Sequence, residues 1–488
     1  MDSVSSVLLF LLACIFMHVV LSLHARTKKT NHKLPPGPSF LTVIGNLPAF
    51  CFRPQQTMAK LAKVYGPIMR LRLGQATSII VSSPELAKAV MQTHDMYLAD
   101  RTTPDVTTAH DHHNLSLPFL CVNPLWHNLR KICHNHLFSN KTLDASQNLR
   151  RKKLQDLLDD MHRSSLTGEA IDVGRAAFKA CINFLSYTFV SEDFVRSIGD
   201  EYKDIVATLL KATGTPNVVD FFPVLRMIDP QGIRRNTSAY ITKVFHHLDC
   251  LIEKRLKLRE GENYVTNNDM LDILLDIYQE DSQKMDKKLI KHFLLDLLVA
   301  GTDTTAYALE RSLTELIHNP GDMYKVKKEL EETIGIGNPV EESDVARLPF
   351  LQAVIKETLR LYPPAPLLLP RRARTDVEIA GYTIPKGTQV LINEWAIGRS
   401  QNIWDNANVF LPERFMESDI DVKGRHFQLT PFGSGRRICP GSPLAIRMLH
   451  LMLGSLINTF DWKLENNIQP KDMDLDQSLR AVPVAISI

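Results

Sequence analysis

One cysteine lies in a stretch that could hold it as a metal-binding thiolate. Residues 431–441 read PFGSGRRICPG, so Cys439 follows a glycine-rich turn and two arginines. The glycines can adopt positive φ and let the backbone approach a flat ligand closely. The apolar spacing of the next residues predicts a helix that begins just after Cys439, and its dipole, the nearby amides and the arginines are expected to favour thiolate over thiol. A single thiolate suits an iron whose four in-plane ligands come from a porphyrin.

Five positions of this stretch resemble the haem-binding signature F-x-x-G-x-R-x-C-x-G of the cytochrome P450 superfamily. They are Phe432, Gly435, Arg437, Cys439 and Gly441. The resemblance implies a haem b cofactor with Cys439 as the axial ligand of its iron. The alternative is a buried free cysteine in a glycine-rich loop, and five matches in ten positions argue against it.

A second stretch with unusual chemistry interrupts a predicted helix. Residues 293–300 are apolar except for Asp296, and the chain then reads GTDTT at 301–305. Unpaired buried polar groups are costly, so these residues need a use. They resemble the family's A/G-G-x-D/E-T-T oxygen-activation motif, which implies that Gly301 lets the helix approach a planar cofactor. By the same resemblance Asp303 and Thr304 relay protons through water to O2, with Thr304 bonded to a carbonyl one turn earlier. The alternative is a helix kink rich in hydroxyl side chains.

Two further resemblances concern arginines. Trp126 and Arg130 are spaced i,i+4 and would share one face of a helix. In the family such a W-x-x-x-R pair contacts a haem propionate, and Arg437 and Arg371 are further propionate candidates by position. The alternative is an ordinary core tryptophan beside a surface arginine.

The motif K-E-T-L-R-L places Glu357 and Arg360 three residues apart on a predicted helix. The resemblance joins this pair to Arg414 in a later P-E-R-F segment. We therefore expect Glu357, Arg360 and Arg414 to build the core on the haem side without taking part in the chemistry.

Composition bounds the class of protein. The chain has 488 residues, of which 44% are hydrophobic, and its net charge of +3 is too balanced to imply nucleic acid as a partner. Seven widely spaced cysteines without a C-x-x-C pair argue against a disulfide framework or a zinc ribbon. Helical spacing dominates after residue 84, while strand signals occur at 68–82, 377–393 and near the C-terminus. The prediction is a P450 fold, mainly α with a small β part, in one domain over residues 41–488.

The amino terminus predicts a membrane anchor. Residues 3–25 contain no charged side chain, and the apolar run from 4 to 23 is long enough for one transmembrane helix. Basic residues follow at once, and residues 34–38 read LPPGP. We expect an anchor at 1–25, a basic and proline-rich hinge at 26–40, and single-pass insertion in the endoplasmic reticulum membrane with the remaining chain in the cytosol. The alternative is a cleaved signal peptide, which would carry basic residues before the apolar run.

Several residues are candidates for the substrate pocket. The histidines of AHDHHNLSL could suggest a metal site, but no set of four spaced ligands is visible. Related enzymes have a loop over the distal pocket at this point, so substrate contact or loop packing is expected instead. The pocket candidates, which core packing would explain equally, are His113, Ala300, Pro366, Leu367, Leu368 and Val482.

The resemblance implies a monooxygenase that inserts one atom of O2 into a substrate C–H bond and reduces the other to water. Electrons would come from NADPH through a separate membrane-bound NADPH-cytochrome P450 reductase, docking near Lys131 and Arg436. Four stretches, among them YPPAPLLLPR and KGTQVLINEWAIGR, resemble plant microsomal enzymes of the geraniol hydroxylase and ferruginol synthase kind. They imply a terpenoid substrate, with an abietane-type diterpenoid favoured over a monoterpene alcohol. A haem-thiolate isomerase or dehydratase and a non-catalytic haem sensor are the alternatives.

Overall fold

The computed structural model describes residues 33–39, 53–192, 201–262, 264–267, 269–473 and 479–485. The predicted anchor at 1–25 lies outside the described residues, as does the predicted hinge apart from 33–39. No helix in the described ranges is both long and apolar enough to span a membrane.

Helices form most of the described chain. In order they are α1 (Pro54–Tyr65), α2 (Pro84–Lys88), α3 (Asp95–Leu98), α4 (Pro124–Ile132), α5 (Asn140–Ala145), α6 (Gln147–Thr167), α7 (Val173–Val190), α8 (Glu201–Gly214), α9 (Val218–Phe221), α10 (Ile233–Arg259), α11 (Met270–Glu280), α12 (Lys287–His318), α13 (Pro320–Thr333), α14 (Pro349–Leu361), α15 (Glu394–Ile397) and α16 (Ser442–Thr459). Short 3-10 or π turns lie at Ala89–Thr93, Asp105–Asn114, Cys133–Leu137, Pro223–Met227, Glu342–Arg347, Pro412–Phe415, Gly435–Arg437, Glu465–Asn467 and Pro470–Asp472.

The long helix α12 runs through the largest hydrophobic core. Asp286 caps its start, because one carboxylate oxygen accepts the Leu289 N–H at 2.6 Å. It ends at Asn319, where Pro320 begins α13. Leucines on several faces of α12 are buried, so the helix packs between neighbours and is not a one-sided surface helix.

The strands form three small sheets. They are β1 (Ile68–Leu73), β2 (Ala76–Val81), β3 (Asp100–Arg101), β4 (Ile171–Asp172), β5 (Arg371–Arg372), β6 (Val377–Ile379), β7 (Tyr382–Ile384), β8 (Gln389–Ile392), β9 (Phe460–Leu464) and β10 (Arg480–Ala485). The largest sheet has the order β1-β2-β8-β5-β3, the second β4-β10-β9, and the third pairs β6 with β7. The predicted hairpin around Gly74 is confirmed, since Ile68 pairs with Val81 and Leu73 with Ala76. A mainly helical chain with a small β part is confirmed as well.

The largest sheet also places charged side chains beside the cysteine loop. Its end strand β3 is antiparallel to the neighbouring β5, with Arg101 directly opposite Arg371. Like charges directly opposite each other destabilise a strand pair. This pairing therefore implies that an anion compensates the two guanidinium groups.

Candidate active site

Cys439 is held between the 3-10 turn Gly435–Arg437 and the start of α16. Its N–H donates to the Phe432 carbonyl at 2.9 Å, and Ser442 Oγ donates to the Cys439 carbonyl at 3.1 Å. Arg130 Nη1 donates to the carbonyl of Ile438 at 2.7 Å, which ties α4 to the loop. Cys439 as a whole residue is half-buried, and these bonds hold its backbone in a fixed position.

Burial and polar contacts act in opposite directions on the Cys439 thiol. Burial raises the pKa of Cys439, while the Gly441 and Ser442 amides and the Arg130 guanidinium oppose that rise. The contacts that were expected to favour the thiolate are therefore present in the structure. A cation bonded to the sulfur, as a metal would provide, would favour the thiolate further.

The signature glycines have different roles. Gly435 has φ +68°, and a Cβ there would lie 2.0 Å from the Met91 carbonyl oxygen, so no other residue fits. Gly441 has φ −84°, and a Cβ there would lie 4.0 Å from Cys439 Sγ, an ordinary contact. At Gly301 an added Cβ would lie 2.8 Å from the Leu185 side chain of α7.

Four arginines converge on the cysteine loop. Arg371 Nη1 donates to Asp95 at 3.0 Å, and Arg437 Nε donates to the Ala99 carbonyl at 2.7 Å. Arg101 Nη1 donates to the Leu369 carbonyl at 2.6 Å, and Arg130 is the fourth member. Arg101 was missed in the sequence because it belongs to no recognisable motif. In the sequence Arg101 is simply the lone arginine that begins RTTPDV, shortly before a proline.

These arginines carry more positive charge than the described acidic groups around them balance. Burial, followed by repulsion from Arg371, Arg437 and Arg130, lowers the pKa of Arg101 well below its ordinary value. Burial and then Arg371 lower the pKa of Arg437 to about 10. Most guanidinium bonds go to carbonyls, which satisfy hydrogen-bonding groups but neutralise no charge. The cluster fits a ligand with two carboxylates, such as the propionates of haem.

Trp126 packs inside this cluster. It is 4% exposed, and the Arg437 guanidinium carbon lies 4.6 Å from its ring centroid, with that of Arg130 at 5.8 Å. The indole therefore stacks on two of the cations and fixes their planes. Together with Cys439, the predicted residues Trp126, Arg130, Arg371 and Arg437 form one contiguous set that fits a haem.

The middle of α12 presents an accessible face. Ala300 and Asp303 are exposed although the helix around them is buried, and Thr304 is half-buried. Thr304 Oγ1 donates to the Ala300 carbonyl at 2.7 Å, one turn earlier. Burial by surrounding protein atoms raises the pKa of Asp303. An acid with a raised pKa beside a hydroxyl can hold a proton and pass it on.

The six pocket candidates differ in exposure and in their neighbours. Of these, Ala300 alone is exposed. Leu367 packs against the cluster of Met58, Met69 and Ile80, whereas Leu368 packs against a different cluster that includes Met91. The Pro366 carbonyl accepts the Trp395 N–H at 3.2 Å, Val482 of β10 lies opposite Lys463 of β9, and His113 Nδ1 is 3.9 Å from an Asp111 oxygen. The pocket assignment stays a prediction, and core packing explains Leu367 and Leu368 equally.

Glu357, Arg360 and Arg414 form one buried network. Arg360 Nε and Nη2 donate to the two Glu357 carboxylate oxygens, both at 2.7 Å, and Arg414 Nε donates at 3.1 Å. Arg360 also donates to the carbonyls of Gly398, Ala407 and Val409. The network joins α14 to the turn Pro412–Phe415 and to the chain between them, which leads on to the cysteine loop.

Comparisons with known proteins agree with this geometry. A family model described as Cytochrome P450 matches residues 35–487. The chain is 45% identical over 496 residues to geraniol 8-hydroxylase from Catharanthus roseus, covering 99% of each chain. It is 45% identical over 474 residues to drimenol monooxygenase from Persicaria hydropiper, covering 96% of this chain and 94% of that one. A solved zebrafish cytochrome P450 with abiraterone is similar in fold, with a TM-score of 0.72 at 23% identity, covering 89% of this chain and 99% of that one.

Proposed function

Because this chain belongs to the cytochrome P450 family and is a monooxygenase, we propose that it hydroxylates a terpenoid using O2 and electrons from NADPH. The observation that carries the proposal is the convergence of Cys439 and the four arginines on one loop. The relatives named for geraniol and drimenol support the substrate class. Motif resemblance favours an abietane-type diterpenoid, with a monoterpene alcohol as the second choice.

Haem, when bound, supplies the oxygen chemistry, and the residues of this chain bind it and supply protons. Cys439 Sγ would ligate the iron, while Arg101, Arg130, Arg371 and Arg437 would bind the two propionates. Asp303, whose pKa is raised by burial, would pass a proton through the Thr304 hydroxyl or water. The exposed Ala300 methyl beside them offers an apolar contact for a substrate.

The first test is the difference spectrum of the dithionite-reduced full chain with and without carbon monoxide. A strongly red-shifted Soret band is expected from an iron held by thiolate, and Cys439→Ala should abolish it. Cys133→Ala is the matched control, because Cys133 is a buried thiol at the end of α4 outside the loop. Loss of the band in the control alone would contradict the assignment of Cys439.

The second test is turnover. Purified reductase, NADPH and an abietane diterpene or geraniol should give a product heavier by one oxygen atom. Product formed without NADPH would indicate the alternative of an isomerase or dehydratase. Ligand-linked spectral changes without any product from either substrate would favour a haem sensor.

We further propose that the catalytic domain, residues 41–488, is held at the endoplasmic reticulum membrane by an anchor at 1–25 and a hinge at 26–40. Supporting this, the Pro36 carbonyl accepts the Arg70 N–H of β1 at 2.7 Å, so the hinge joins the β1–β2 hairpin. The tip of the same hairpin, at Gln75, donates to the Phe221 carbonyl at 2.9 Å. Just beyond it three apolar side chains are exposed, namely Val224 at 63%, Met227 at 94% and Ile228 at 68%.

This arrangement would place lipid against the exposed apolar side chains. A polarity-sensitive dye is attached at Met227→Cys. Its emission should lie at shorter wavelength in the full chain in lipid nanodiscs than in the catalytic domain in detergent-free buffer. The same dye on Leu166→Cys, at the exposed end of α6, is the control and should shift less. Equal shifts at both positions would contradict the proposed orientation.

For the electron donor, we propose a basic docking face near Cys439 that includes Lys131 and Arg436. Both side chains are exposed, and Arg436 Nε also lies 3.2 Å from an Asp95 oxygen. Lys131→Glu should slow reduction by the reductase severalfold at low salt, and the difference should shrink at high salt. A salt-independent effect would argue against electrostatic docking.

A further inference from the structure

A buried carboxylate on α12 holds the segment 112–120 in place. Asp296 accepts the Ser116 hydroxyl at 2.7 Å on Oδ1 and the Leu117 N–H at 2.8 Å on Oδ2. His112 Nε2 lies 3.0 Å from the same Oδ1. Asp296 is only 7% exposed, so these three donors are what make a buried charge tolerable.

A second histidine ties His112 to α12. His112 Nδ1 lies 2.7 Å from His292 Nδ1, one turn before Asp296 on α12. Burial, followed by His112, lowers the pKa of His292 to about 3, so this ring is neutral at physiological pH. One Nδ1 of the pair carries the hydrogen and the other accepts it, while His112 Nε2–H donates to Asp296.

The other end of the segment reaches the arginine cluster. Arg101 Nε donates to the Pro118 carbonyl at 3.2 Å, and Arg437 Nη2 donates to the carbonyl of Leu120. Between these ends the Leu120 N–H donates to the Ser116 carbonyl at 2.8 Å, so the segment is compact. Five residues therefore connect the long helix with two of the guanidinium groups in the haem site.

Helix geometry places this contact beside the accessible face of α12. Asp296 is one turn before Ala300 and two turns before Asp303, so all three lie on nearly the same side of the helix. The segment bonded to Asp296 must therefore cross that side about 6 Å along the axis from Ala300. It bounds the exposed part of the helix at its N-terminal end.

We propose that Asp296 is a positioning residue, which with His112 fixes segment 112–120 across α12 and thereby sets both the wall of the substrate groove and the places of Arg101 and Arg437. The role toward substrate and haem rests on the proposed function. The mechanical role, holding the segment, is independent of any substrate.

The test is hydrogen–deuterium exchange of the haem-loaded full chain, comparing wild type with Asp296→Asn. An amide cannot replace all three contacts, because its nitrogen would face a donor where a carboxylate oxygen now accepts. Peptides that contain the Leu117 amide should exchange about tenfold faster or more, since bonds to charged groups contribute roughly 1.5–3 kcal/mol. Asp249→Asn is the matched control, because Asp249 pairs with Lys291 of α12 at the surface, 2.8 Å apart.

A second readout separates positioning from general damage. The carbon monoxide band of Asp296→Asn should keep its position, while its spectral dissociation constant for geraniol rises about tenfold. Unchanged exchange at 112–120, or an equal increase in Asp249→Asn, would overturn the proposal. If Asp296→Asn does not accumulate, Ser116→Ala removes one of the three donors and should give a smaller increase in the same peptides. Absence of any geraniol shift in wild type would count against the monoterpene alcohol as substrate and not against the positioning role, because the exchange experiment uses no substrate.

Discussion

At the scale of single residues, Cys439 and the arginines near it are each unfavourable alone. Burial opposes a thiolate at Cys439, and the buried guanidinium groups of Arg101 and Arg437 lack enough anions. A cation bonded to the sulfur and two carboxylates beside the arginines would relieve both costs. Haem carries both the cation and the two carboxylates. Binding of haem to these residues should therefore also stabilise the fold.

This balance predicts opposite effects of one substitution on the haem-free and haem-loaded chain. Arg101→Met removes a buried charge whose hydrogen-bond partners in the described part of the chain are carbonyls, so the haem-free chain should gain about 1–4 kcal/mol of unfolding free energy. Haem should dissociate faster, because one propionate partner is lost. Thermal unfolding and haem transfer to apomyoglobin measure the two effects. Arg374→Met is the control, because Arg374 is 39% exposed and paired with Asp100. It should neither raise the unfolding free energy of the haem-free chain nor speed the dissociation of haem.

Thr304→Ala should separate haem binding from proton delivery. The substitution removes the hydroxyl beside Asp303, so haem content should persist while product formed per NADPH falls at least about tenfold and peroxide rises. Thr302→Ala is the control, since Thr302 is fully buried and donates to the Leu298 carbonyl at 2.6 Å, away from the exposed face. Intact coupling in Thr304→Ala would contradict the proposed role.

The two signature glycines should respond differently to an added methyl group. Gly435→Ala would bring Cβ to 2.0 Å from the Met91 carbonyl at positive φ, so we expect no haem-loaded protein. Gly441→Ala meets only ordinary contacts at 3.8 and 4.0 Å, and it should keep most of the haem. Haem content per protein measures both. Equal loss in the two variants would mean that a ligand atom, and not Met91, sets the requirement for glycine.

At the scale of elements, the network around Glu357 joins α14 to a turn more than fifty residues later. Glu357→Gln would leave the Arg360 and Arg414 guanidinium groups buried without a counter-charge, which costs about 3–5 kcal/mol. We expect a large fall in the thermal midpoint and in haem-loaded yield. Glu332→Gln is the control, because Glu332 is 66% exposed and lies 3.8 Å from Lys328, a surface pair worth about 0–1 kcal/mol.

At the scale of the whole molecule, a single buried carboxyl should make stability depend on pH. Glu394 of α15 accepts the hydroxyl and the N–H of Thr430, just before the cysteine loop. Burial raises the pKa of Glu394 from 4.5 to about 7. Between pH 4.5 and about 7, Glu394 in the folded chain holds a proton that the unfolded chain has released. Raising the pH from 4.5 to about 7 therefore lowers the free energy of unfolding.

The loss from this group should approach about 3 kcal/mol and level off above pH 7. The amide of Glu394→Gln keeps a hydrogen-bond acceptor and donor beside Thr430 but cannot ionise. The thermal midpoint of this variant should therefore change less than that of wild type between pH 5 and 8. At pH 8 it should exceed the midpoint of wild type. Glu332→Gln again serves as the control. A wild-type slope that survives in Glu394→Gln would assign the pH dependence to other groups.

Features that depend on neighbouring residues could be predicted before the structure was known. Caps such as Asp286, apolar periodicity and the Gly74 hairpin specify helices and strands through contacts within a few residues. The spacing from Phe432 to Gly441 identified the family for the same reason, because one short loop carries the signature. The adjacency of Glu357 and Arg360 likewise follows from helix geometry.

Features that depend on distant segments could not be predicted, because they arise when the chain folds. Arg101 meets Arg371 across a strand pair, and Asp296 holds Ser116 across 180 residues of chain. Leu367 and Leu368 are adjacent in sequence yet pack into different cores. The pKa of Cys439 rises because of the atoms that bury it and not because of its neighbours in the chain. Burial and charge balance are sums over all surrounding atoms, so they cannot be read from local spacing.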